Sequence, residues 1–132
     1  MIEVSCAIII KGLKMLAVQR GPESNHPWKW EFPGGKINAL ETAEQCIIRE
    51  IEEELMVKIE IAEPLSSVVY NYGKGQICLV PFVCRIIEGE IHLTEHVAQR
   101  WMAFKEWEST DWQDADSELI HKNRERLKIL LA

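Results

Sequence analysis

The sequence predicts an α/β fold in which helices cover both faces of a mixed β-sheet. Apolar runs typical of strands dominate the 132 residues, one helix pattern interrupts them, and a second helix pattern closes the chain. This order favours a three-layer α/β/α arrangement. The length predicts a single domain over residues 1–132, because it can bury one core but is too short for two.

The first part of the chain predicts a β-hairpin, a loop and a short strand. Two apolar runs in EVSCAIIIKGLKMLAVQR are separated by Lys11 and Gly12, which is typical of a hairpin. The following segment, GPESNHPWK, is rich in turn-forming residues and predicts a surface loop. The short strand WEFPGG then ends in Gly34 and Gly35.

Residues 42–55 predict an α-helix. The segment contains no Gly or Pro, begins with Thr42, and has apolar side chains at positions 43, 47, 48, 51 and 55. This spacing is typical of a helix with one buried face, and threonine is a suitable N-cap.

The rest of the chain predicts three strands and a closing helix. KIEIAEPLSSVVYNY and QICLVPFVCRII are two strand patterns joined by the turn YGKG. Pro81 in the second cannot donate a hydrogen bond to a neighbouring strand, so we expect an edge strand or a bulge there. QRWMAF predicts a further short strand, and ADSELIHKNRERLKILL predicts an amphipathic helix.

Composition and charge exclude several classes of partner. The formal net charge of −6 gives no electrostatic footprint for duplex DNA or an anionic membrane. No segment approaches the ~20 apolar residues of a membrane span, and the start of the chain does not resemble a signal peptide. The cysteines lack zinc-like spacing and predict buried, reduced thiols in a cytoplasmic protein. They are Cys6, Cys46, Cys78 and Cys84.

The predicted helix and the residues before it are unusually rich in glutamate. The glutamates are Glu41, Glu44, Glu50, Glu52, Glu53 and Glu54. Since each helical residue turns about 100°, Glu50, Glu53 and Glu54 share one arc of about 100° beside the apolar stripe. Carboxylates so arranged can converge on Mg²⁺ or Mn²⁺, and Arg49 can pair with Glu53. Taken alone, an acidic run of this kind is more often a solvated helix surface, so the spacing alone does not establish a metal site.

The complete spacing resembles the Nudix box, G-x5-E-x7-R-E-U-x-E-E-x-G-U, in which U is apolar. The matching residues are Gly35, Glu41, Arg49, Glu50, Ile51, Glu53, Glu54 and Val57. Met56 stands where the box has its last glycine, after every candidate ligand. A left-handed backbone at that position would cost a non-glycine residue about 1 kcal/mol.

The resemblance implies a Nudix-type α/β/α sandwich that hydrolyses a nucleoside diphosphate linked to another group. It also implies one to three bound Mg²⁺ or Mn²⁺ ions. Glu50 and Glu54 would be metal ligands, with Glu53 as a further ligand or the general base. Arg49 would orient the glutamates, and Glu41 would support the loop or ligate a metal through water.

The same resemblance assigns the two glycines before the helix. Gly34 and Gly35 would let the backbone approach the metal and the phosphates of the substrate. Lys36 follows them and is expected to contact the substrate. Metal ions held by carboxylates would neutralise phosphate charge and activate a water molecule, as polyphosphate hydrolysis requires.

Segments outside the box resemble MutT-type nucleoside triphosphate pyrophosphohydrolases. AVQRGPESNHPWKWEFPGGK and TEHVAQRWM carry this resemblance. It implies that Glu95 is a metal ligand or the general base, with a rim glutamate as the alternative, and that His96 is a weaker base candidate. The implied reaction releases a nucleoside monophosphate and pyrophosphate, in a monomer or a dimer.

The MutT-type resemblance also implies a base pocket formed by Arg20, Phe32 and Asp116. The alternatives are core packing for Phe32 and helix capping for Asp116. An ionised Asp116 can only accept hydrogen bonds, which suits the amino group of cytosine. A protonated Asp116 could donate and accept, as asparagine does with 8-oxoguanine. Both 8-oxo-dGTP and cytidine triphosphates therefore remain candidate substrates.

Two further alternatives follow from the same residues. Trp28 could stack on a base, although packing is the simpler role for a tryptophan next to a strand. A Nudix-fold module could also sense a nucleotide without cleaving it. Such modules usually lack box glutamates, so the intact set in this chain argues against a sensor.

Overall fold

The structure contains an eight-stranded sheet and three α-helices. The computed structural model describes residues 1–132. The strands are β1 (Ile2–Lys11), β2 (Lys14–Gln19), β3 (Trp30–Glu31), β4 (Gly34–Lys36), β5 (Lys58–Pro64), β6 (Val68–Asn71), β7 (Gln76–Glu88) and β8 (Ala98–Met102). The helices are α1 (Ala43–Leu55), α2 (Asp114–Lys122) and α3 (Arg124–Leu130), and Phe104–Ser109 form a 3₁₀ helix. None of the helices has the length and apolarity of a membrane span.

Strand β1 is the centre of the sheet. It pairs antiparallel with β2 and β4 and parallel with β7. Strand β7 continues the sheet through antiparallel pairing with β5 and β6, and β2 does so with β3 and β8. The single parallel pairing among antiparallel ones makes the sheet mixed, as the sequence predicts.

Helices cover both faces of this sheet. Successive side chains of a strand point to opposite faces, so β1 contributes to two separate clusters. Cys6 and Ile8 pack with residues of α2 and α3, whereas Ala7 and Ile9 pack with residues of α1. The predicted α/β/α layering is therefore confirmed.

The predicted hairpin and the predicted helix are also confirmed. Strands β1 and β2 turn at Gly12, whose φ of +61° favours glycine. Helix α1 begins after Thr42, whose side-chain oxygen accepts a hydrogen bond from the Gln45 N–H at 3.0 Å. The Gln45 side chain accepts from the Thr42 N–H at 2.9 Å, which completes a capping box.

The prediction of one strand over residues 58–72 is wrong, because the segment forms two strands. Both β5 and β6 pair with β7, which is an interior strand, so the edge that Pro81 suggested as one alternative is wrong. The other alternative was a bulge, and the pairing of β5 with β7 has a register shift between Ile61 and Glu63, which lie opposite Cys84 and Val83. The carbonyl oxygen of Pro81 accepts from the Leu65 N–H at 3.0 Å, in the gap between β5 and β6. The backbone N and O atoms of one strand residue face the same neighbouring strand. The N–H group that Pro81 lacks would therefore point into the gap between β5 and β6.

The prediction of one closing helix is also incorrect, because Asn123 divides it into α2 and α3. The Asn123 side chain is buried, accepts from the Ser66 N–H at 2.8 Å and donates to the Ser66 carbonyl at 2.9 Å. It also donates to the Leu119 carbonyl at 2.9 Å. The asparagine therefore ties the helix break to the loop between β5 and β6.

Helix α1 ends at Met56 in the left-handed conformation, with φ of 60° and ψ of 34°. The Met56 N–H donates to the Glu52 carbonyl at 3.0 Å, and the residue is 58% exposed. The side chain therefore contributes little burial to offset the backbone strain.

We expect Met56→Gly to raise the free energy of unfolding by about 0.5–1 kcal/mol, because glycine adopts this conformation without strain. The melting temperature should rise by roughly 2–4 °C. Met56→Ala is the matched control, since it removes the side chain but keeps the strain. Equal stability of the two variants in urea unfolding would contradict the explanation.

Candidate active site

An acidic cleft of about 380 Å³ lies beside the first half of β1. Most of the residues that the sequence assigned to a site line it. They are Arg20, Phe32, Gly34, Gly35, Lys36, Glu50, Glu54, Glu95 and Asp116. Five separate parts of the chain therefore meet in one cleft, although they are far apart in the sequence.

The guanidinium group of Arg49 connects three glutamates. Its Nε and Nη2 atoms donate to the two carboxylate oxygens of Glu41 at 3.0 and 2.7 Å. Its Nη1 atom donates to Glu50 at 2.8 Å and to Glu53 at 3.2 Å. Since bidentate pairs fix geometry as well as charge, Arg49 holds α1 against the loop that precedes it.

Glu41 is the residue of the preceding loop to which Arg49 binds. Its carboxylate also accepts a hydrogen bond from the Asn38 N–H at 2.9 Å. The bonds from Arg49 and then from Asn38 lower the pKa of Glu41 to about 2. The same ion pair with Glu41 raises the pKa of Arg49, so both groups remain charged across the physiological range.

The glycine pair of β4 touches the helix and the central strand directly. The Gly34 N–H donates to the Glu54 carboxylate at 3.1 Å. A Cβ atom on Gly34 would overlap the backbone oxygen of Ser5, and one on Gly35 would overlap the Glu50 carboxylate. Only glycine allows this close approach of backbone and carboxylates.

Glu54 lies at the bottom of the cleft and is only 4% exposed. Burial, followed by repulsion from Glu95, Glu50 and Glu31, raises the pKa of Glu54 to about 9. Charges of one sign in a low-dielectric site disfavour the ionised carboxylate. A bound cation would reverse this effect, so the electrostatics of the cleft favour a divalent ion.

The donor set fits such an ion. No three acidic, histidine or cysteine side chains enclose a complete cage as they stand. Mg²⁺ does not need one, since it typically takes one or two carboxylates together with waters and substrate phosphates. Glu50 and Glu54 place hard carboxylate oxygens in the cleft, and their role as metal ligands stays a prediction.

Glu53 does not line the cleft with its two neighbours. Its side chain is 57% exposed and lies at the outer edge, on Arg49. The helix therefore brings Glu50 and Glu54 together and leaves Glu53 beside them. The assignment of Glu53 as ligand or base stays a prediction.

Glu31 lines the cleft and was missed in the sequence analysis. It accepts hydrogen bonds from Arg20 at 3.0 Å and from His96 Nε2 at 2.9 Å. His96, a candidate base, is therefore engaged with a carboxylate. The position of Glu31 in the segment EFPGGK, directly before Phe32, was the available signal.

Asp116 lies buried in the cleft, in the first turn of α2. Gln113 occupies the N-cap position of α2, so the alternative prediction that Asp116 caps this helix is wrong. Burial and then the nearby charge of Glu31 raise the pKa of Asp116 well above its ordinary value.

Two aromatic residues have different places at this end of the molecule. Phe32 faces the cleft and also packs in the core against Trp112, with ring centroids 4.9 Å apart, so both of its predicted roles fit. Trp28 is exposed and does not line the cleft.

The pKa of Glu54 predicts how the stability of the metal-free protein depends on pH. The folded protein keeps this proton up to a pKa of about 9, whereas the unfolded chain releases it near 4.5. Stability should therefore fall as pH rises between these values, by up to about 1.4 kcal/mol per pH unit. We expect Glu54→Gln to reduce the difference in stability between about pH 6 and about pH 8, measured by urea unfolding with EDTA. An unchanged difference would contradict the burial of this proton.

Comparisons of the sequence with known proteins identify its family. Residues 1–122 match the model of the NUDIX domain. Over 106 residues the chain is 33% identical to the CTP pyrophosphohydrolase of Escherichia coli, covering 80% of this chain and 78% of that protein. Over 109 residues it is 28% identical to the 8-oxo-dGTP diphosphatase of the same organism, covering 83% and 84%.

Solved structures with the same fold extend the similarity over nearly the whole chain. The E. coli ORF135 protein aligns with a TM-score of 0.82 and 29% identity, covering 96% of this chain and 90% of that one. The MutT protein from Methanosarcina mazei aligns with a TM-score of 0.85 and 19% identity, covering 96% and 95%. The domain match, the relatives and the fold together show that this chain belongs to the Nudix hydrolase family.

Proposed function

We propose that this Nudix hydrolase is a Mg²⁺-dependent nucleoside triphosphate pyrophosphohydrolase whose preferred substrate is 8-oxo-dGTP. The observation that carries the proposal is the buried Glu54, which meets Glu50 and Glu95 in one cleft beside the glycine pair. The proposed reaction converts the triphosphate and water to a monophosphate and pyrophosphate. Its role would be to remove a damaged nucleotide from the precursor pool.

The metal would be Mg²⁺ or Mn²⁺, held by Glu50 and Glu54 with Glu53 and the Gly34 backbone beside them. A bound divalent ion supplies charge neutralisation for the phosphates and lowers the pKa of a coordinated water. Arg49 keeps the carboxylates in place and stays charged throughout. The general base would be Glu95, which lines the cleft, or Glu53, which lies at its outer edge.

The substrate would lie along the cleft from the acidic end to Asp116. Lys36 is the cation on the glycine strand and would contact the phosphates together with the Gly35 backbone. Arg20 and Phe32 would contact the base at the other end. These contacts involve a nucleoside triphosphate only, and we propose no nucleic-acid partner.

The raised pKa of Asp116 supports 8-oxoguanine over cytosine as the recognised base. Burial and Glu31 raise this pKa well above its ordinary value, which shifts Asp116 toward the neutral acid relative to an exposed aspartate. A neutral carboxylic acid both donates and accepts a hydrogen bond, as recognition of 8-oxoguanine by a single side chain requires. An ionised Asp116 would instead accept from the cytosine amino group.

A cytidine or modified cytidine triphosphate is the second candidate substrate. The relative at 33% identity is named CTP pyrophosphohydrolase, which specifically favours this reading. A non-catalytic nucleotide sensor is the third candidate. It is disfavoured because every box glutamate is present and because Arg49 donates hydrogen bonds to Glu50 and Glu53 on the helix.

A substrate competition tests the proposal directly. Purified protein with Mg²⁺ is given 8-oxo-dGTP, dGTP, CTP, dCTP, 5-methyl-dCTP and ADP-ribose, and kcat/KM and products are measured for each. We expect 8-oxo-dGTP to exceed dGTP and the cytidine nucleotides by at least about tenfold, the worth of one well-placed hydrogen bond. The products should be monophosphate and pyrophosphate.

The other outcomes of the competition are equally informative. A preference for cytidine nucleotides would replace the proposed substrate and require an ionised Asp116. Tight binding of one nucleotide without cleavage would overturn the enzymatic proposal in favour of the sensor. Turnover without added divalent ions, in the presence of EDTA, would contradict metal dependence.

A further inference from the structure

The loop between β7 and β8 is bonded to the C-terminal end of helix α1. The last carbonyl groups of a helix have no partner within the helix and need one from elsewhere. The Thr94 hydroxyl donates to the Glu53 carbonyl at 2.8 Å, and the Thr94 N–H donates to the Glu54 carbonyl at 3.0 Å. The His92 N–H donates to the Leu55 carbonyl at 2.9 Å. Three consecutive carbonyls of α1 therefore have their partners in this loop.

Glu95 lies between these contacts and a second set. The side chain of His96 is only 6% exposed, and its Nε2 atom donates to the Glu31 carboxylate at 2.9 Å. The Val97 N–H donates to the Gln19 carbonyl at 3.0 Å, just before β8 begins. The chain is therefore fixed on both sides of Glu95, to α1 before it and to β2 and β3 after it.

The Glu95 carboxylate has no ion pair of its own. None of the ion pairs in the chain includes it, although it shares the cleft with Glu50 and Glu54. Burial and then repulsion from Glu95 raise the pKa of Glu54 to about 9. Because like charges repel, the place of Glu95 in the cleft depends on the fixed backbone of its loop and not on a partner of its side chain.

We propose that Thr94 is a positioning residue, whose hydroxyl fixes this loop against α1 and so keeps Glu95 in the cleft. Its contacts are with the backbone of Glu53 and Glu54, so a shift of the loop would change the distance between Glu95 and Glu54 directly. Catalysis is sensitive to such a shift, since a displacement of about 1 Å can reduce the rate by about 100-fold. The inference rests on the proposed function, in which Glu95 is a candidate general base.

Two substitutions of Thr94 test the role of its hydroxyl. Thr94→Val removes the hydroxyl but keeps the branched shape, whereas Thr94→Ser keeps the hydroxyl. The substrate is 8-oxo-dGTP or CTP, whichever the wild type cleaves faster, at saturating Mg²⁺. We expect Thr94→Val to reduce kcat by about tenfold with KM changed by less than about twofold, and Thr94→Ser to keep kcat within about twofold. A wild-type kcat in Thr94→Val would overturn the proposal.

Thr110 provides the matched control for the loss of a hydroxyl. Its side chain donates to the Glu106 carbonyl at 2.9 Å, at the end of the 3₁₀ helix, and it does not line the cleft. Thr110→Val removes a bond of the same kind and should keep kcat within about twofold. An equal loss of kcat in Thr94→Val and Thr110→Val would show a general effect on the fold and would overturn the proposal.

A double-mutant cycle tests whether Thr94 acts through Glu95. In a Glu95→Gln background, Thr94→Val should change kcat by less than about twofold, because the group that Thr94 positions is already absent. A further tenfold loss, of about the size expected in the wild-type background, would show that Thr94 acts on other groups and would overturn the proposal.

Amide hydrogen exchange in EDTA tests the placement of the loop without turnover. Thr94→Val should increase the exchange rates of the amides of residues 92 and 94 by at least about fivefold, whereas Thr110→Val should leave them unchanged. If the wild type cleaves no nucleotide, the proposed function fails, and the exchange rates alone decide whether the Thr94 hydroxyl holds the loop. Unchanged exchange in Thr94→Val would overturn that placement.

Discussion

The arrangement of the cleft depends on the contacts of one guanidinium group. Arg49 bonds to Glu41 in the loop and to Glu50 and Glu53 on the helix, all within 3.2 Å. Without this cation, the acidic face of α1 would repel the acidic loop and itself. Arg49 thus orients Glu50 and joins the helix to the loop that carries Glu41.

The second constraint is the close approach of backbone to carboxylate at the glycine pair. Gly34 donates to Glu54, and Gly35 leaves room only for the Glu50 carboxylate. Together with Arg49, these contacts hold two carboxylates in a site where one of them is kept protonated by burial and repulsion. A bound cation would favour the ionised form of both carboxylates in such a site. A divalent ion, together with the phosphates that accompany it, is therefore its best-suited ligand.

Features that depend on local sequence could be predicted. The bounds of α1, its Thr42 cap and the turn at Gly12 follow from spacing and backbone preferences within a few residues. The left-handed exit at Met56 also followed from the box spacing. The helical arc correctly placed Glu50 and Glu54 together, because residues four apart lie on one face.

Features that depend on distant contacts could not be predicted. Asn123 breaks the last helix because its side chain bonds to Ser66, 57 residues away. Glu31 was missed since one of its partners, His96, is 65 residues away. The arc of α1 also could not show that the loop would cover Glu50 and Glu54 but leave Glu53 exposed, because that depends on where the glycine strand packs.

The proposed hydrolysis depends on the arrangement held by Arg49, and not on the number of acidic groups. The most direct measurement compares kcat of Glu53→Gln and Glu52→Gln at saturating Mg²⁺ and substrate, with urea unfolding to verify the fold. Both changes remove one charge from an exposed helix position, but only Glu53 accepts from Arg49. We expect kcat to fall by at least about 100-fold for Glu53→Gln and by less than about twofold for Glu52→Gln. Equal effects of the two substitutions, or unchanged turnover in Glu53→Gln, would contradict it.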